Sequence, residues 1–262
     1  KKQNKEMRIG EGTVIFVTGG ASGLGEETVR KMHSQGASVV VADMDVARMQ
    51  ALHAELQERI LCVPCNVTKE AEVKSAVEQA VAVFGTIHVA VACAGVAWVT
   101  PTLTSRGPLN TKTFEAVMAI NVLGSVYMAK YAAIAMSKNK GVNEQGEKGV
   151  ILFVSSVAAQ EAQRGQTAYG ASKGAINGIV LPMARDLGKL KIRVAAIAPG
   201  IFATPMGAKM PKKIQDRLNA DTPMGRPGLP AEFAHMVGFC IENGYINGVS
   251  LRIDGATRLS HL

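Results

Sequence analysis

Short apolar segments alternate with longer segments of helical periodicity along nearly the whole chain of 262 residues. Seven apolar segments are predicted strands: "TVIFVTG", "ASVVVAD", "RILCVPCNV", "HVAVACAG", "GVILFVSS", "RVAAIAPG" and "GVSLRIDG". Most are apolar on both faces, which is typical of a parallel sheet that is covered by helices on each side. Because strand and helix alternate, the sequence predicts a doubly wound α/β fold with right-handed crossovers and helices on both faces of a seven-stranded sheet.

The chain has no break in composition and no internal repeat, so we expect one domain over residues 1–262, with residues 1–10 as a flexible leader. The predicted helices begin near residues 25, 46, 69, 111, 167 and 230. Two polar insertions, "AWVTPTLTSRGPLN" and "SKNKGVNEQGEKG", flank the fourth helix and are predicted to be loops.

The overall composition, with 47% hydrophobic residues, is that of a globular protein. No apolar run approaches the ~18 residues of a membrane-spanning helix, so membrane insertion is not expected. The first residues lack the apolar core of a secretory signal, and we expect a reducing compartment. The net charge of +8 suggests an anionic partner. The basic residues are dispersed and not interleaved with aromatic residues, which does not favour nucleic acid.

Four cysteines are present, at positions 62, 65, 93 and 240. Cys62 and Cys65 form a single C-x-x-C pair, which is half of the ligand set of a structural zinc site. The pair lies in a predicted strand, where positions three apart face opposite sides. We therefore expect buried thiols and no metal site.

The first strand leads into a glycine-rich turn and a helix in "TVIFVTGGASGLGEETVRKM", with the spacing Gly19-x-x-x-Gly23-x-Gly25. Glycines in such a turn let the backbone approach a pyrophosphate, and the helix N-terminus offers free N–H groups and partial positive charge. The turn by itself could also be a sharp connection. In this position after the first strand, it predicts a dinucleotide site in a Rossmann-type fold.

The second strand ends at Asp43. A carboxylate at this position can accept hydrogen bonds from the adenosine ribose hydroxyls, and it would repel a 2′-phosphate. The residue therefore predicts NAD rather than NADP. The alternative role, capping the next helix, fits Asp45 better than Asp43.

The third and fourth strands also end in residues suited to a nucleotide. The Asn66 side chain and the Val67 backbone are expected to hold the adenine amino group. Cys93 and Gly95 are expected to bring bare backbone close to the ribose. Ligands in such sheets bind along the carboxyl ends of the strands, where all four residues are predicted to lie.

The fifth strand ends at "VSSVAA", and "TAYGASKGAI" follows it, placing Ser156, Tyr169 and Lys173 in sequence. Tyr169 and Lys173 are four residues apart and share a helix face. A nearby ammonium group lowers the pKa of tyrosine, ordinarily ~10, and a drop of ~2–3 units requires only about 3–4 kcal/mol. Tyr169 is therefore predicted to exchange a proton with an alcohol, while Ser156 holds the substrate oxygen. A surface Tyr–Lys pair is the alternative.

Further residues favour the catalytic interpretation. Asn121 stands in the middle of a long predicted helix, where asparagine is a poor helix former. We expect it to hold a water molecule that passes protons to Lys173. After the sixth strand, "APGIFATPM" places Phe202 and Thr204 where they could contact a nicotinamide carboxamide.

Together, "TGGASGLG", Asn121, Ser156, Tyr169-x-x-x-Lys173 and "PGIFATP" resemble the short-chain dehydrogenase/reductase family over essentially the whole chain. Residues 155–206, "NEQGEKGVI" and "INGVSLRIDGATR" are similar to the branch of 3-hydroxyacyl-CoA dehydrogenases that is also described as 17β-hydroxysteroid dehydrogenases. The resemblance implies NAD-dependent oxidation of secondary alcohols, a homotetramer and a mitochondrial matrix location, with the cytoplasm as the alternative.

On this resemblance, the catalytic residues are Ser156, Tyr169, Lys173 and Asn121, and Gln166 is a further candidate contact for the acyl or thioester end of the substrate. The residues expected to contact NAD are Ser22, Leu24, Asp43, Asn66, Val67, Cys93, Phe202 and Thr204. Coenzyme A phosphates would be held by a basic group beside the presumed mouth, Lys209, Lys212, Lys213 and Arg217.

The chain departs from the family pattern at two places, Asn66, where the family commonly has aspartate, and "ACAG", which replaces N-N-A-G. The polar loop before Asn121 and residues 203–224 are expected to line the substrate mouth, and substrate choice depends most on these segments. The alternatives are a hydroxysteroid dehydrogenase, a 3-ketoacyl carrier-protein reductase, which would normally use NADPH, and a scaffold or RNA-binding subunit without activity.

Overall fold

The computed structural model of the protein describes residues 6–105 and 107–258. The strands of this part of the chain are β1 Val14–Thr18, β2 Ser38–Asp43, β3 Ile60–Pro64, β4 Val89–Ala92, β5 Leu103–Thr104, β6 Gly107–Pro108, β7 Gly149–Val154, β8 Ile192–Pro199 and β9 Ser250–Ile253. Its α-helices are α1 Gly23–Ser34, α2 Val46–Leu56, α3 Glu70–Phe84, α4 Thr111–Met118, α5 Gly124–Ser137, α6 Ala158–Glu161, α7 Thr167–Gly188, α8 Pro205–Ala208, α9 Lys212–Asp221 and α10 Pro230–Glu242. A π-helical turn, Ala119–Leu123, joins α4 to α5.

Seven strands form one parallel sheet in the order β3-β2-β1-β4-β7-β8-β9. The predicted doubly wound fold is therefore confirmed. The strand order reverses direction between β1 and β4, and this switch point opens a crevice at the carboxyl ends of the strands. The residues predicted to bind a nucleotide follow these strand ends.

The sheet separates two hydrophobic clusters because successive side chains of a strand point to opposite faces. In β1, Phe16 belongs to the cluster under α3, α5 and α7, while Ile15 and Val17 belong to the cluster under α1, α2 and α10. All three side chains are fully buried. Both faces are thus covered, as the two-sided apolar strands predicted.

The first insertion is not a plain loop, because it contains the short antiparallel ribbon β5–β6. The Thr100 amide also donates a 2.6 Å hydrogen bond to the Gly165 carbonyl oxygen. These contacts attach the insertion to the loop that precedes α7. One of its residues, 106, lies outside the described part of the chain.

The continuous helical segment Thr111–Ser137 is the one stretch of the described residues that is long and apolar enough to cross a membrane. In the structure, Met128, Ala129, Ala132 and Met136 of this segment are buried against the sheet. It therefore packs as a core helix of the α/β fold.

The predicted leader, residues 1–10, falls partly outside the described residues, which begin at residue 6. Met7 is buried in the cluster under α1 and α10. The Ile9 amide donates a hydrogen bond of 3.3 Å to the Glu242 carboxylate. The described part of this segment is thus packed on the fold.

Candidate active site

A cavity of about 630 Å³ runs along the carboxyl ends of the strands. The residues that line it include every predicted catalytic and NAD-binding residue except Asn121, and also Gln166: Gly19, Ser22, Gly23, Leu24, Gly25, Asp43, Asn66, Val67, Cys93, Gly95, Ser156, Gln166, Tyr169, Lys173, Phe202 and Thr204. The structure therefore brings the proposed nucleotide and chemical residues into one cavity.

The glycine turn leaves no space for a side chain at Gly19 or Gly25. A Cβ atom on Gly25 would lie 2.1 Å from the Gly19 carbonyl oxygen, and one on Gly19 would lie 2.6 Å from the backbone of Ala94. Gly19 and Gly23 also have positive φ angles of 66° and 57°. Ser22 precedes α1 without making a side-chain capping bond. The turn therefore offers bare backbone, a hydroxyl and a helix N-terminus, and this donor set fits a dinucleotide pyrophosphate.

Asp43 braces this turn. Its Oδ2 accepts a 3.0 Å hydrogen bond from the Ala21 amide, and its Oδ1 accepts one of 3.0 Å from the Asp45 amide. A carboxylate has about four acceptor positions, so capacity for ribose hydroxyls is left. Asp45 caps α2 by accepting from the Arg48 amide at 3.1 Å, as expected from the sequence.

Asn66 uses its side-chain oxygen in a different way from the one expected. Its Oδ1 accepts hydrogen bonds from the amide and hydroxyl of Thr68, at 3.0 and 2.8 Å. The asparagine forms a local turn that leads into α3, which is a common role of this residue. This oxygen is therefore already engaged locally, which corrects the expectation that it is free for adenine. Val67 packs against Gly124, where a Cβ would lie 2.8 Å from the valine Cβ.

Cys93 and Gly95 place the end of β4 against the chemical residues. The Cys93 amide donates a 3.0 Å hydrogen bond to the Thr18 carbonyl oxygen. Burial raises the pKa of the Cys93 thiol to about 12, an effect that the nearby Lys173 charge partly opposes. A Cβ on Gly95 would stand 3.2 Å from Asn121 Oδ1. Bare backbone is thus needed at this strand end.

Ser156, Tyr169 and Lys173 meet at the end of β7. The Ser156 and Tyr169 hydroxyls are hydrogen-bonded to each other. Lys173 Nζ donates a 2.8 Å hydrogen bond to the Val154 carbonyl oxygen and lies 5.7 Å from the centroid of the Tyr169 ring. Ser156 and Lys173 are buried, 8% and 6% exposed. This arrangement joins a hydroxyl, a phenol and an amine in a largely buried site.

Burial sets the titration of this group. It raises the pKa of the Tyr169 phenol, and the hydrogen bond with Ser156 offsets only part of this. Burial also lowers the pKa of the Lys173 amine to about 8, an effect that the charge of Cys93 opposes. The sequence argument that Lys173 lowers the pKa of Tyr169 was wrong in direction for this structure. Loss of hydration destabilises both charged forms, and it dominates here.

Asn121 lies behind the cavity, 1% exposed, in the π-helical turn rather than in a regular helix. Its Oδ1 accepts a 2.9 Å hydrogen bond from the Val96 amide, and its Nδ2 donates a 2.9 Å bond to the Val96 carbonyl oxygen. The Ser125 hydroxyl donates a 2.8 Å bond to the Asn121 carbonyl oxygen. The side chain thus fixes the loop after β4, a contact that the sequence analysis did not foresee.

Phe202 and Thr204 border the cavity in different ways. The Phe202 ring packs edge-on against Phe233, with centroids 6.2 Å apart, and lies against Gly228. The ring thus belongs to the core, while the residue still borders the cavity. Thr204 Oγ1 accepts a 3.2 Å hydrogen bond from the Gly207 amide and begins α8, across from the glycine turn.

The mouth of the cavity is formed by the first insertion and the segment that contains α8 and α9. Gln166 precedes α7, and its Oε1 accepts a 2.9 Å hydrogen bond from the Gln163 amide. Val99, Met206 and Met210 supply apolar lining. This wall is more apolar than the nucleotide end.

The basic residues beside the mouth differ in their pairing. Lys212 forms an ion pair with Asp216, and Arg217 forms one of 3.8 Å with Asp221. Lys209 and Lys213 are exposed and take part in none of the ion pairs between described residues. The sequence could place all four cations near the mouth. It could not show that Lys212 and Arg217 are in ion pairs while Lys209 and Lys213 are in none of those between described residues.

The four cysteines are free thiols, two of them buried. Burial raises the pKa of Cys62, Cys65 and Cys240 to about 11 in each case. Within residues 6–105 and 107–258, no group of three or more His, Cys, Asp or Glu side chains is arranged to hold a metal ion. The C-x-x-C pair is thus not part of any such group in this part of the chain.

Comparison with known proteins gives consistent matches over nearly the full length. A family model described as enoyl-(acyl carrier protein) reductase matches residues 19–256. The chain is 41% identical over 256 residues to 3-hydroxyacyl-CoA dehydrogenase type-2 of Rattus norvegicus, covering 97% of this chain and 98% of the relative. The structure of 3-hydroxyacyl-CoA dehydrogenase type-2 from Mycobacterium avium is similar with a TM-score of 0.90 at 36% identity, covering 97% and 99% of the two chains. A 7α-hydroxysteroid dehydrogenase complexed with NADH and 7-oxo glycochenodeoxycholic acid is similar with a TM-score of 0.87 at 27% identity, covering 97% of each chain.

Proposed function

Because the chain belongs to the short-chain dehydrogenase/reductase family, we propose that it is an NAD-dependent oxidoreductase that interconverts 3-hydroxyacyl-CoA and 3-ketoacyl-CoA. One observation carries the proposal. Ser156 and Tyr169 are hydrogen-bonded to each other beside the buried amine of Lys173. They line the same cavity as the glycine turn, in which Gly19 and Gly25 have no space for a side chain.

The protein supplies proton transfer and orientation at the substrate oxygen. Because burial raises its pKa, the Tyr169 phenol is protonated and donates its proton to the substrate oxygen when the ketone is reduced. The phenolate left by this step takes the hydroxyl proton back when the alcohol is oxidised. The Ser156 hydroxyl donates a hydrogen bond to the substrate oxygen and holds this oxygen beside Tyr169. Lys173, with its pKa lowered to about 8, changes protonation near neutral pH and adjusts the charge under the phenol. NAD, when bound, supplies the hydride acceptor.

The residues that would hold NAD are those of the glycine turn and of the strand ends. Ser22 and the first turn of α1 face a pyrophosphate, and Asp43 accepts the ribose hydroxyls. The charge of Asp43 disfavours a 2′-phosphate, which supports NAD over NADP. Val67, Cys93 and Gly95 border the adenosine side with backbone.

The acyl-CoA part of the proposal is supported by the mouth of the cavity and by the relative in Rattus norvegicus. An apolar wall of Val99, Met206 and Met210 suits an acyl group, since methionine adapts to varied shapes. Lys209 and Lys213, which form no ion pair with another described residue, can bind the phosphates of coenzyme A. A hydroxysteroid is the second candidate, because a structural neighbour at 27% identity is a steroid dehydrogenase.

Assembly and location are further parts of the proposal and rest on the family resemblance. A homotetramer is supported by exposed apolar side chains on two faces, Leu123, Ile134, Leu181, Phe239 and Tyr245. Light scattering after size-exclusion chromatography would give the mass. A mitochondrial matrix location would be tested by fractionation of cells that express the native protein.

The decisive experiment is NADH consumption with acetoacetyl-CoA, repeated with NADPH and with a 3-ketosteroid or 17-ketosteroid. Turnover with NADH, and much less with NADPH, is the expected result. Turnover of the steroid alone would replace acyl-CoA as the substrate class. Absence of turnover with every ketone would contradict the dehydrogenase proposal itself.

A further inference from the structure

Ser172 is fully buried on α7, one residue before Lys173 and three after Tyr169. Its hydroxyl donates a 2.7 Å hydrogen bond to the Tyr169 carbonyl oxygen. The hydroxyl oxygen of Ser172 in turn accepts a 3.0 Å hydrogen bond from Asn121 Nδ2. Because a serine hydroxyl has one proton, the two bonds use its donor and one of its acceptor positions.

The amide of Asn121 has a single orientation that satisfies these contacts. Its oxygen faces the Val96 amide, while its nitrogen uses one proton for the Val96 carbonyl and the other for Ser172. Rotation of the amide by 180° would place donor against donor and acceptor against acceptor at Val96. The bond to Ser172 therefore connects a rigidly held asparagine to α7.

Both ends of this connection bear on the reacting groups. Val96 follows Gly95, where an added Cβ would stand 3.8 Å from Lys173 Nζ. At the other end, the Tyr169 carbonyl belongs to the first turn of α7, which carries the phenol. Misplacement of reacting groups by 1 Å can lower a rate about a hundredfold. A buried bond that fixes this turn is therefore relevant to catalysis.

We propose that Ser172 is a positioning residue, which holds Asn121 and the first turn of α7 in register so that Tyr169 meets the substrate oxygen. The inference rests on the proposed dehydrogenase function. Ser172 touches neither the substrate nor NAD on this view, and it acts through Asn121 and Tyr169.

The first test compares Ser172→Ala with Thr28→Val. Thr28 is equally buried and bonds back to the Leu24 carbonyl oxygen at 2.7 Å, but among residues 6–105 and 107–258 its hydroxyl bonds to no side chain. With acetoacetyl-CoA and NADH, Ser172→Ala is expected to lower kcat about tenfold or more, where kcat is calculated from the concentration of sites that bind NADH. The Kd for NADH is expected to stay within about twofold of the wild-type value. Thr28→Val is expected to keep kcat. An unchanged kcat in Ser172→Ala would overturn the proposal.

The second test asks whether Ser172 acts through Asn121. In an Asn121→Ala background, Ser172→Ala is expected to cause no further loss of kcat, because residues that share one network give non-additive effects. Two losses that multiply independently would overturn the proposed connection. Ser172→Cys, which keeps a weak donor of similar size, is expected to recover part of the rate.

The third test needs no substrate. The phenolate absorbance of the protein, with Tyr169→Phe as the blank, gives the titration of Tyr169. Its pKa is raised by burial, so a looser first turn in Ser172→Ala is expected to move it back toward ~10. An unmoved titration would contradict positioning. If the wild type turns over no ketone, the proposed function fails while this titration still decides the role of Ser172. Ser172→Gly, which also lacks the hydroxyl, takes the place of Ser172→Ala in all three tests if the alanine variant does not fold.

Discussion

The Lys173 ammonium nitrogen lies 5.7 Å from the centroid of the Tyr169 ring, and both groups lie at the end of β7. The lysine is held there by its 2.8 Å hydrogen bond to the Val154 carbonyl oxygen. A second pair of the same type exists on α5, where Lys130 Nζ lies 5.1 Å from the centroid of the Tyr131 ring. Only the first pair borders the cavity. A lysine close to a tyrosine ring is therefore not by itself a sign of proton transfer. The location of the pair at the cavity is what distinguishes Tyr169 and Lys173 from Tyr131 and Lys130.

This comparison gives the first prediction. Tyr169→Phe should lower kcat for acetoacetyl-CoA reduction by about 10²–10⁴, the usual contribution of a positioned general acid. The phenylalanine keeps the ring over Lys173, so the Kd for NADH should stay within about twofold. Tyr131→Phe removes an equivalent hydroxyl, one that bonds to Glu70 at 2.9 Å, and should retain full activity. Equal activity of both variants would exclude Tyr169 as the proton donor.

The second prediction concerns stability and pH. The pKa of Lys173 is about 8 in the folded protein, because burial lowers it, and is about 10.4 in an unfolded chain. Between these values, the unfolded chain holds a proton that the folded protein lacks. The free energy of unfolding therefore gains a contribution as pH rises through this window, amounting to about 3 kcal/mol when complete.

Lys173→Met removes this contribution. Between pH 7 and pH 9.5, the free energy of unfolding of the wild type should therefore rise by about 2 kcal/mol relative to that of the variant. Urea unfolding at the two pH values would measure it. Lys213→Met, at an exposed lysine, should give a difference that does not vary with pH. A flat difference for Lys173→Met would mean that its amine is not desolvated.

The sequence predicted the sheet and the cavity because these follow from local patterns. Residues that end parallel strands come together at one edge, so Gly19, Asp43 and Ser156 could be placed without coordinates. Tyr169 and Lys173 could be joined by helix spacing alone. The spacing could not give the environment of the pair, and the predicted direction of the tyrosine pKa shift was wrong because burial depends on every element packed around it.

Other features depended on contacts between distant segments. Nothing in the sequence near Phe202 shows that Phe233 lies beside its ring. Asn66 could have been recognised as a turn former from the Asn-x-Thr spacing, since asparagine commonly bonds to the backbone two residues on. Ser172 gave no signal of its own, because its partner Asn121 is 51 residues away. The helices α8 and α9 were also not foreseen.

The third prediction concerns coenzyme choice. Asp43→Asn should raise kcat/KM with NADPH relative to NADH by at least about tenfold, because the negative charge that repels a 2′-phosphate is lost. The amide oxygen can still accept from the Ala21 amide, so the glycine turn is kept, while the bond from the Asp45 amide is lost. Asp45→Asn, at the cap of α2, should leave the ratio unchanged. An unchanged ratio in Asp43→Asn would remove the basis for NAD selectivity.

The fourth prediction separates acyl recognition from phosphate recognition. The double variant Lys209→Gln, Lys213→Gln should raise the KM for acetoacetyl-CoA about five- to tenfold at low salt, and less at high salt because exposed charges are screened. The KM for acetoacetyl-N-acetylcysteamine, which has no phosphate, should not change. Lys189→Gln, just beyond the C-terminal end of α7, is the control. Equal KM values with acetoacetyl-CoA would contradict the phosphate contact.

The fifth prediction concerns the buried ion pair that attaches the second insertion to the core. Arg193 Nε donates a 2.7 Å hydrogen bond to Glu147, with both side chains 7% exposed. The other guanidinium nitrogens donate to the carbonyl oxygens of Cys240, Ile241 and Ile246 at 2.6–3.0 Å. The arginine therefore satisfies the carboxylate and three backbone groups at once.

Glu147→Ala should lower the free energy of unfolding by about 3–5 kcal/mol, since it leaves a buried cation without its partner. Replacing both residues by leucine should not restore stability, because the three carbonyl oxygens near the end of α10 would lose their donor. This differs from buried pairs that apolar residues can replace at no cost. Urea unfolding would measure both variants, with Arg226→Ala, at an exposed pair with Glu232, as the control that should barely move the midpoint. A double leucine variant as stable as the wild type would show that the carbonyl oxygens find other donors.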